Sequence, residues 1–332
     1  MKKIITILII TTALLPAQSK VGTSSAQFLG IGVGPKSIAM GGAFTAIADD
    51  ASTLYWNPGA MSRLGKSQTM FSNASWLVDT NVNLLAGVLK LNSSNAIGIF
   101  FTQLDYGDEE ITDLHNQNGT NLFWKAADLA SGISYARNLT NRFSIGTSLK
   151  YITQKIHNES ASSVAIDVGL LYQSLSETFR LGMSISNFGT DMTMDGKDLF
   201  QKIDVDENNS GHNETIPAKL KTDAWPLPLF FRVGVSSDVI KTENLRLTIA
   251  SDFFLPSDDV ESLNVGMEAG FLERVFLRAG YKTIGVSASE EGLTAGIGAK
   301  AHVSGVGVVV DYAVQDFGKF GYIPHWGLSI NF

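Results

Sequence analysis

No cysteine occurs among the 332 residues. That absence excludes disulfides, thiolate catalysis, iron–sulfur ligation and a lipid carried on an N-terminal cysteine. Charge is also scarce: 17% of residues are charged against 44% apolar, a thin solvating coat for a chain of this length. The net charge of -7 excludes the basic footprint that nucleic acid requires. No run reaches the roughly 18 consecutive apolar residues that a helix needs to cross a bilayer.

Chemical motifs are missing too. The histidines at 115, 157, 212, 302 and 325 are scattered, with no His-x-x-x-His pair and no carboxylate at ligand spacing. No Gly-x-Ser-x-Gly elbow occurs. The acidic stretch DVDENNSGHNE at 204–214 lacks the glycine a calcium loop needs at its sixth position, where Asn209 stands, and Thr215 replaces the bidentate glutamate at the twelfth. It reads as a solvated loop. No enzyme, cofactor or metal is expected from this inventory.

What is present begins with MKKIITILIITTALLPAQSK, in which Lys2 and Lys3 precede a mostly apolar run from Ile4 to Leu15 and the small residues Ala17 to Ser19. A charged start, a short apolar centre and a small-residue cleavage site mark a secretory signal peptide over 1–19. Downstream, GIGVGPKSIAMGG crowds glycines from Gly30 to Gly42 around a Lys-Ser pair. A phosphate loop needs Gly and Lys adjacent, and Pro35 separates Gly34 from Lys36 here. No β-α-β unit follows to make a dinucleotide site.

From residue 67 onward the signal is strict alternation, the side-chain period of a strand with two unlike faces. In RFSIGTSLKY the apolar set Phe143, Ile145, Leu149 and Tyr151 interleaves with Ser144, Gly146, Ser148 and Lys150. Fourteen such runs lie near 68–76, 82–91, 95–104, 126–137, 141–153, 161–173, 177–188, 227–238, 244–254, 260–271, 274–284, 292–301, 304–314 and 323–332. Their non-apolar face is Gly, Ser and Ala with charges of both signs: Arg180, Arg232, Arg246 and Arg278 with Asp252, Glu268 and Asp311, joined by Lys150, Lys282, Lys300 and Asp167. A water-soluble sandwich would show a Lys-, Glu- and Thr-rich outer face instead. Small residues with compensating charges suit a crowded lumen, and an uncharged apolar face suits lipid. Runs of this length also match the roughly 9–11 residues of a tilted membrane-crossing strand.

The fold expected is therefore all-β: a transmembrane antiparallel barrel of about 14 strands, residues 67–332. Connections after even runs are brief, and those after odd runs, notably 105–125, 154–160 and 189–226, are longer. That asymmetry belongs to outer-membrane barrels and puts both termini on the short-turn, periplasmic side. Aromatics near run ends, such as Trp76, Tyr106, Trp124, Tyr135, Tyr151, Tyr172, Tyr281 and Tyr322, suit interfacial girdles. The last run, PHWGLSINF, alternates Trp326, Leu328, Ile330 and Phe332. A final amphipathic strand ending in phenylalanine is the pattern by which outer-membrane barrels are recognised for assembly.

Residues 28–65 break the alternation. The order Gly34, Ala39-Met40-Gly41-Gly42-Ala43, Ala46, Asp49-Asp50 and Asn57-Pro58 resembles the N-terminal region of the PorV/PorQ family, relatives of the FadL-type transporters of hydrophobic compounds. Gly59 departs from the alanine common after Asn-Pro. The resemblance implies an N-terminal plug, residues 20–66, inside the barrel, with Gly34, Met40, Gly41, Gly42, Asp49, Asp50, Asn57 and Pro58 as its marks. It also implies an accessory role in type IX protein secretion, with secreted cargo or translocon components as partners. The related transporters imply instead a passive channel for hydrophobic small molecules.

Small residues from Ala39 to Ala43 allow close backbone approach to a wall. Asp49 and Asp50 have two readings: pairs with inward arginines such as Arg180 or Arg278, or a solvated turn. Trp225, Pro226 and Pro228, at the end of the longest loop, read either as a rigid apolar ridge for a partner or as a hydrophobic lead-in to the next strand. The Gly- and Ser-rich lumen offers little aliphatic lining to an acyl chain, which favours secretion over hydrocarbon transport.

Overall fold

A computed structural model describes residues 21–176, 178–204, 216–286 and 289–332. The signal peptide and almost all of the acidic stretch at 204–214 lie outside the described residues. Fourteen long strands form the wall. They are β1 (Gln68–Ser75), β2 (Asn81–Lys90), β3 (Asn95–Glu110), β4 (Phe123–Asn138), β5 (Phe143–Ile156), β6 (Glu159–Gln173), β7 (Phe179–Gly189), β8 (Phe230–Lys241), β9 (Leu245–Pro256), β10 (Ser262–Phe271), β11 (Val275–Ile284), β12 (Leu293–Val303), β13 (Val306–Asp316) and β14 (Tyr322–Asn331).

Each strand pairs antiparallel with its sequence neighbours. The last closes on the first, from Gln68 opposite Asn331 to Ala74 opposite His325. Closure satisfies the backbone groups that an open edge would leave unpaired in hydrocarbon. All fourteen alternating segments are strands of this one sheet.

Burial inverts the rule of a water-soluble protein. On β5, Ser144 and Ser148 are at most 1% exposed and Lys150 is 6% exposed, while Leu149 and Tyr151 are about half exposed at 49% and 52%. The apolar stripe faces out and the small polar stripe faces in, as an outer wall against hydrocarbon requires.

Connections after even-numbered strands run two to five residues. The opposite end carries 111–122 and 190–229. The expected loop 154–160 is not a loop. β5 and β6 stay paired to Ile156 opposite Glu159 and turn through His157, whose φ is 52°. The loop expected at 105–125 shrinks likewise, because β3 and β4 remain paired to Glu110 opposite Phe123. The cause is common to both. Sequence alternation marks only the part of a strand with unlike faces, whereas hairpin hydrogen bonds continue where both faces are wet.

Within the 190–229 connection, Phe200–Ile203 pairs with Ile216–Lys219, and Met192–Thr193 with Ala224–Trp225. Asp195–Gly196 adds to the free upper part of β6 at Glu159–Ser160.

Residues 26–64 are almost continuously buried. They form short turns around two brief helices, α1 (Pro35–Ala39) and α2 (Thr53–Trp56), and they lie against the inner face of the wall. Backbone meets backbone there. Gly41, at φ 67°, sits where a Cβ would come within 2.6 Å of Val265 O and 2.7 Å of Tyr281 N. The wall returns the favour: a Cβ on Gly146 would meet Pro58 O, and one on Gly266 would meet Met40 O. Gly146 on β5, Gly169 on β6, Gly182 on β7, Gly266 on β10 and Gly280 on β11 each touch this segment, so its contacts run around most of the circumference. Glycine is there because only a hydrogen permits such approach.

Candidate functional site

The inner segment is fastened by polar groups as well as by shape. Lys36 is the single charged residue between Gly30 and Ala48, and it is buried in α1. Its Nζ lies 2.8 Å from Asp49 Oδ1 and 3.4 Å from Glu268 Oε2 on β10. Burial alone would lower the ammonium pKa, but Asp49 and Glu268 outweigh it and hold the value above that of an ordinary lysine. Glu268 in turn contacts Arg278 at 2.6 Å and Arg246 at 2.9 Å, and Arg278 reaches Asp311 at 2.6 Å. Within this network each buried charge has a counter-charge, the condition for tolerating charge away from water.

Two further anchors use neutral donors. The Asn57 side-chain amide donates to Thr45 O at 2.8 Å and to Leu170 O on β6 at 2.9 Å, while its oxygen accepts from Gly59 N. Asp252 on β9 accepts from Phe44 N and Thr45 N at 3.0 and 2.8 Å.

Two cavities lie on opposite sides of the segment and share no lining residue. One, about 370 Å³, opens at the short-connection end among Lys36, Asp50, Lys66, Arg246, Lys300 and His302. Asp50 is buried beside it with one carboxylate oxygen bonded to Ser52 N and the other unbonded. Burial, and then the charge of Asp49, push its pKa up to about 6. The second cavity, about 610 Å³, opens at the long-connection end. Tyr55, Trp56, Phe230 and Phe254 line it, with Arg232 between them.

The eight marks of the N-terminal region gather at this core. Gly34 precedes α1 at φ 88°, Met40, Gly41, Gly42, Asp50, Asn57 and Pro58 are buried, and Asp49 is partly exposed beside Lys36. Neither aspartate pairs with Arg180 or Arg278. Arg180 pairs with Asp238, Arg278 is taken by Glu268 and Asp311, and Lys36 is the nearer cation for Asp49. The seven lumen charges all lie on the inner face, buried or largely so.

The ridge of Trp225, Pro226 and Pro228 divides. Trp225 and Pro226 are exposed, but Pro228 is buried and its carbonyl accepts from Asn187 Nδ2, because the chain turns inward at Leu227 to enter β8. Pro226 O accepts from Ser25 N, tying the loop to the start of the inner segment. Trp326 lies on the outer face, edge-on to Phe71 with centroids 5.3 Å apart, and Phe332 N donates to Ser67 O.

Alternation alone did not bring out Lys36, Tyr55 or Trp56. A lone charge in a long small-residue run was the available signal for Lys36, since such a charge needs a partner once buried.

Residues 15–221 match the family model described as type IX secretion system protein PorV. No curated protein matches the chain. Among solved structures, the CymD monoaromatic hydrocarbon channel is 14% identical at a TM-score of 0.56, covering 90% of this chain and 96% of that one. The Ralstonia pickettii toluene transporter TbuX is 14% identical at 0.53, covering 90% and 97%. The P. putida toluene transporter TodX is 13% identical at 0.55, covering 91% and 99%. At such identities these likenesses speak for the barrel fold, whereas the family match spans more than half of the sequence, and on it the chain belongs to the PorV family of type IX secretion system proteins.

Proposed function

We propose that this barrel serves type IX secretion in the outer membrane as an accessory component that holds exported protein, or the translocon, through its long-connection end. The short-connection end and both termini then face the periplasm, as is usual for barrels with short periplasmic turns. One observation carries this reading: the lumen is occupied by a segment seated backbone-to-backbone against glycines of the wall. A wall built with those glycines holds its filling in place, which suits a docking platform better than a conduit. The paired segments Phe200–Ile203 and Ile216–Lys219 supply surface at the same end, with Phe200, Ile203, Ile216 and the following Leu220 all open to solvent.

Purification from gently solubilised native membranes tests it. Exported proteins or a large translocon should co-purify with the barrel. Recovery of lipid or hydrocarbon without protein partners would overturn it.

A second reading, a passive channel for hydrophobic molecules, draws on the aromatic lining of the 610 Å³ cavity. It requires a path past Gly41 and Gly42, and it predicts toluene uptake by liposomes carrying the protein.

A further inference from the structure

The cavity of about 370 Å³ at the short-connection end holds charge that the ion-pair network does not use. Lys66 and Lys300 line it, and neither enters an ion pair among the described residues. Lys66 is exposed and Lys300 half-buried. Two acceptors of the same cavity stand unbonded, Asp50 Oδ2 and Gln68 Oε1, on residues that are each only 7% exposed. They come from different elements, Asp50 from the inner segment and Gln68 from the first residue of β1. A buried acceptor calls for a donor, because an unmade hydrogen bond away from water is costly.

Burial gives the cavity two unlike sides, with the acceptors enclosed and the free ammonium groups open. A simple anion would satisfy the lysines and leave both acceptors without a donor. A simple amine would do the reverse. A molecule carrying an ammonium at one end and a carboxylate at the other answers both sides through charged hydrogen bonds. Lys36 also lines the cavity, but Asp49 and Glu268 hold its charge, so it does not cancel Asp50. Along the wall His302, Gly307, Asn331 and Gln68 stand in one register across β12, β13, β14 and β1. Gly307 adds no side chain and keeps that row open, while the imidazole and the two amides offer the donors and acceptors that a peptide group bonds.

We propose that this cavity binds a short free peptide as its zwitterion, the ammonium bonded by Asp50 and Gln68 and the carboxylate held by Lys66 and Lys300. The site lies at the opposite end from the surface assigned to a protein partner, so it goes beyond the secretion reading and does not depend on it. A cavity of about 370 Å³ falls in the lower part of the size range of specific ligand sites, which suits a few small residues and excludes a folded domain.

The test uses the full barrel in a neutral detergent, above the pH of about 6 at which Asp50 takes up its proton. Titration calorimetry compares Ala-Ala, N-acetyl-Ala-Ala, Ala-Ala amide and inorganic phosphate. Ala-Ala should bind at least about tenfold more tightly than either blocked form, the scale of one charged hydrogen-bonded contact. Asp50→Asn, which removes the counter-charge of the ammonium, should abolish the preference over the acetylated peptide. Lys66→Gln combined with Lys300→Gln should abolish the preference over the amide. Both variants are checked for heat-modifiable gel migration, and the comparison among the peptides needs no variant and stands if one misfolds. Equal binding of the three peptides, or no binding of Ala-Ala, overturns the proposal, as do preferences that persist in both folded variants. Phosphate that binds as tightly as Ala-Ala overturns it in favour of a plain anion site.

Discussion

Lys36 and Glu268 meet at 3.4 Å across the boundary between the inner segment and the wall. The contact joins residues far apart in sequence and couples the segment to a network that continues through Arg278 to Asp311. Removing Lys36 leaves Glu268 with Arg246 and Arg278, and leaves Asp49 partly in water, so the loss falls below that of stranding a buried charge outright. Lys36→Met should cost about 1–3 kcal/mol of stability. Lys125→Met, which breaks the exposed pair with Asp108, should cost about 0–1 kcal/mol. Urea denaturation followed by tryptophan fluorescence compares them; equal midpoints would show that the contact does not hold the segment.

Gly41 is a point of close approach at that boundary where φ is also positive. Its positive φ penalises any side chain by about 1–2 kcal/mol, and the neighbouring atoms are wall backbone, which cannot rotate away. Gly41→Ala should therefore lose about 2–5 kcal/mol, or fail to seat the segment at all. Gly65→Ala is the control, with nothing within 4 Å of its added carbon. Limited proteolysis at the N-terminal end reports seating directly. If the Gly41→Ala protein resists protease as well as Gly65→Ala does, the close approach is not essential.

The wall was legible because its chemistry repeats. Lipid outside and small residues inside impose period two on every strand, and Phe143 to Tyr151 displays it without help from any neighbour. The charges at Arg246, Glu268, Arg278 and Asp311 could be turned inward on the same evidence. Which of them meet could not be read, since register between strands leaves no local mark: Glu268 stands opposite Arg278 across one ladder and opposite Thr248 across the other. Residues 28–65 have no period, so their small residues announced close contact without saying with what.

Asp50 gives the segment a pH dependence of definite sign. Burial comes first and the charge of Asp49 second in raising its pKa to about 6, with Lys36 and Ser52 acting against them. A carboxyl that binds its proton more tightly folded than unfolded contributes most below its unfolded value, near 3.8. That contribution is lost as pH rises through about 6. Asp50→Asn keeps an oxygen for Ser52 N and removes the buried charge. It should leave stability near pH 4 little changed and raise it at pH 7.5 by up to about 3 kcal/mol. A variant that loses stability at pH 7.5 would mean that the ionised form is the one the fold needs.

The arm at the long-connection end can be separated from the barrel. Phe200–Ile203 and Ile216–Lys219 pair with each other rather than with the wall, and the link to β6 passes through Asp195–Gly196, which precede them. Replacing residues 197–220 by a short Gly-Ser linker should therefore leave the fourteen strands closed and the heat-modifiable migration unchanged. Apolar side chains exposed on such an arm have no folding role to explain them, and a partner surface does. The shortened barrel should recover less than about a tenth of the exported or translocon protein that the full chain co-purifies, a loss of roughly 1.4 kcal/mol or more in binding. Full recovery with the arm removed would assign the grip to the other connections of that end, 111–122 and 285–292.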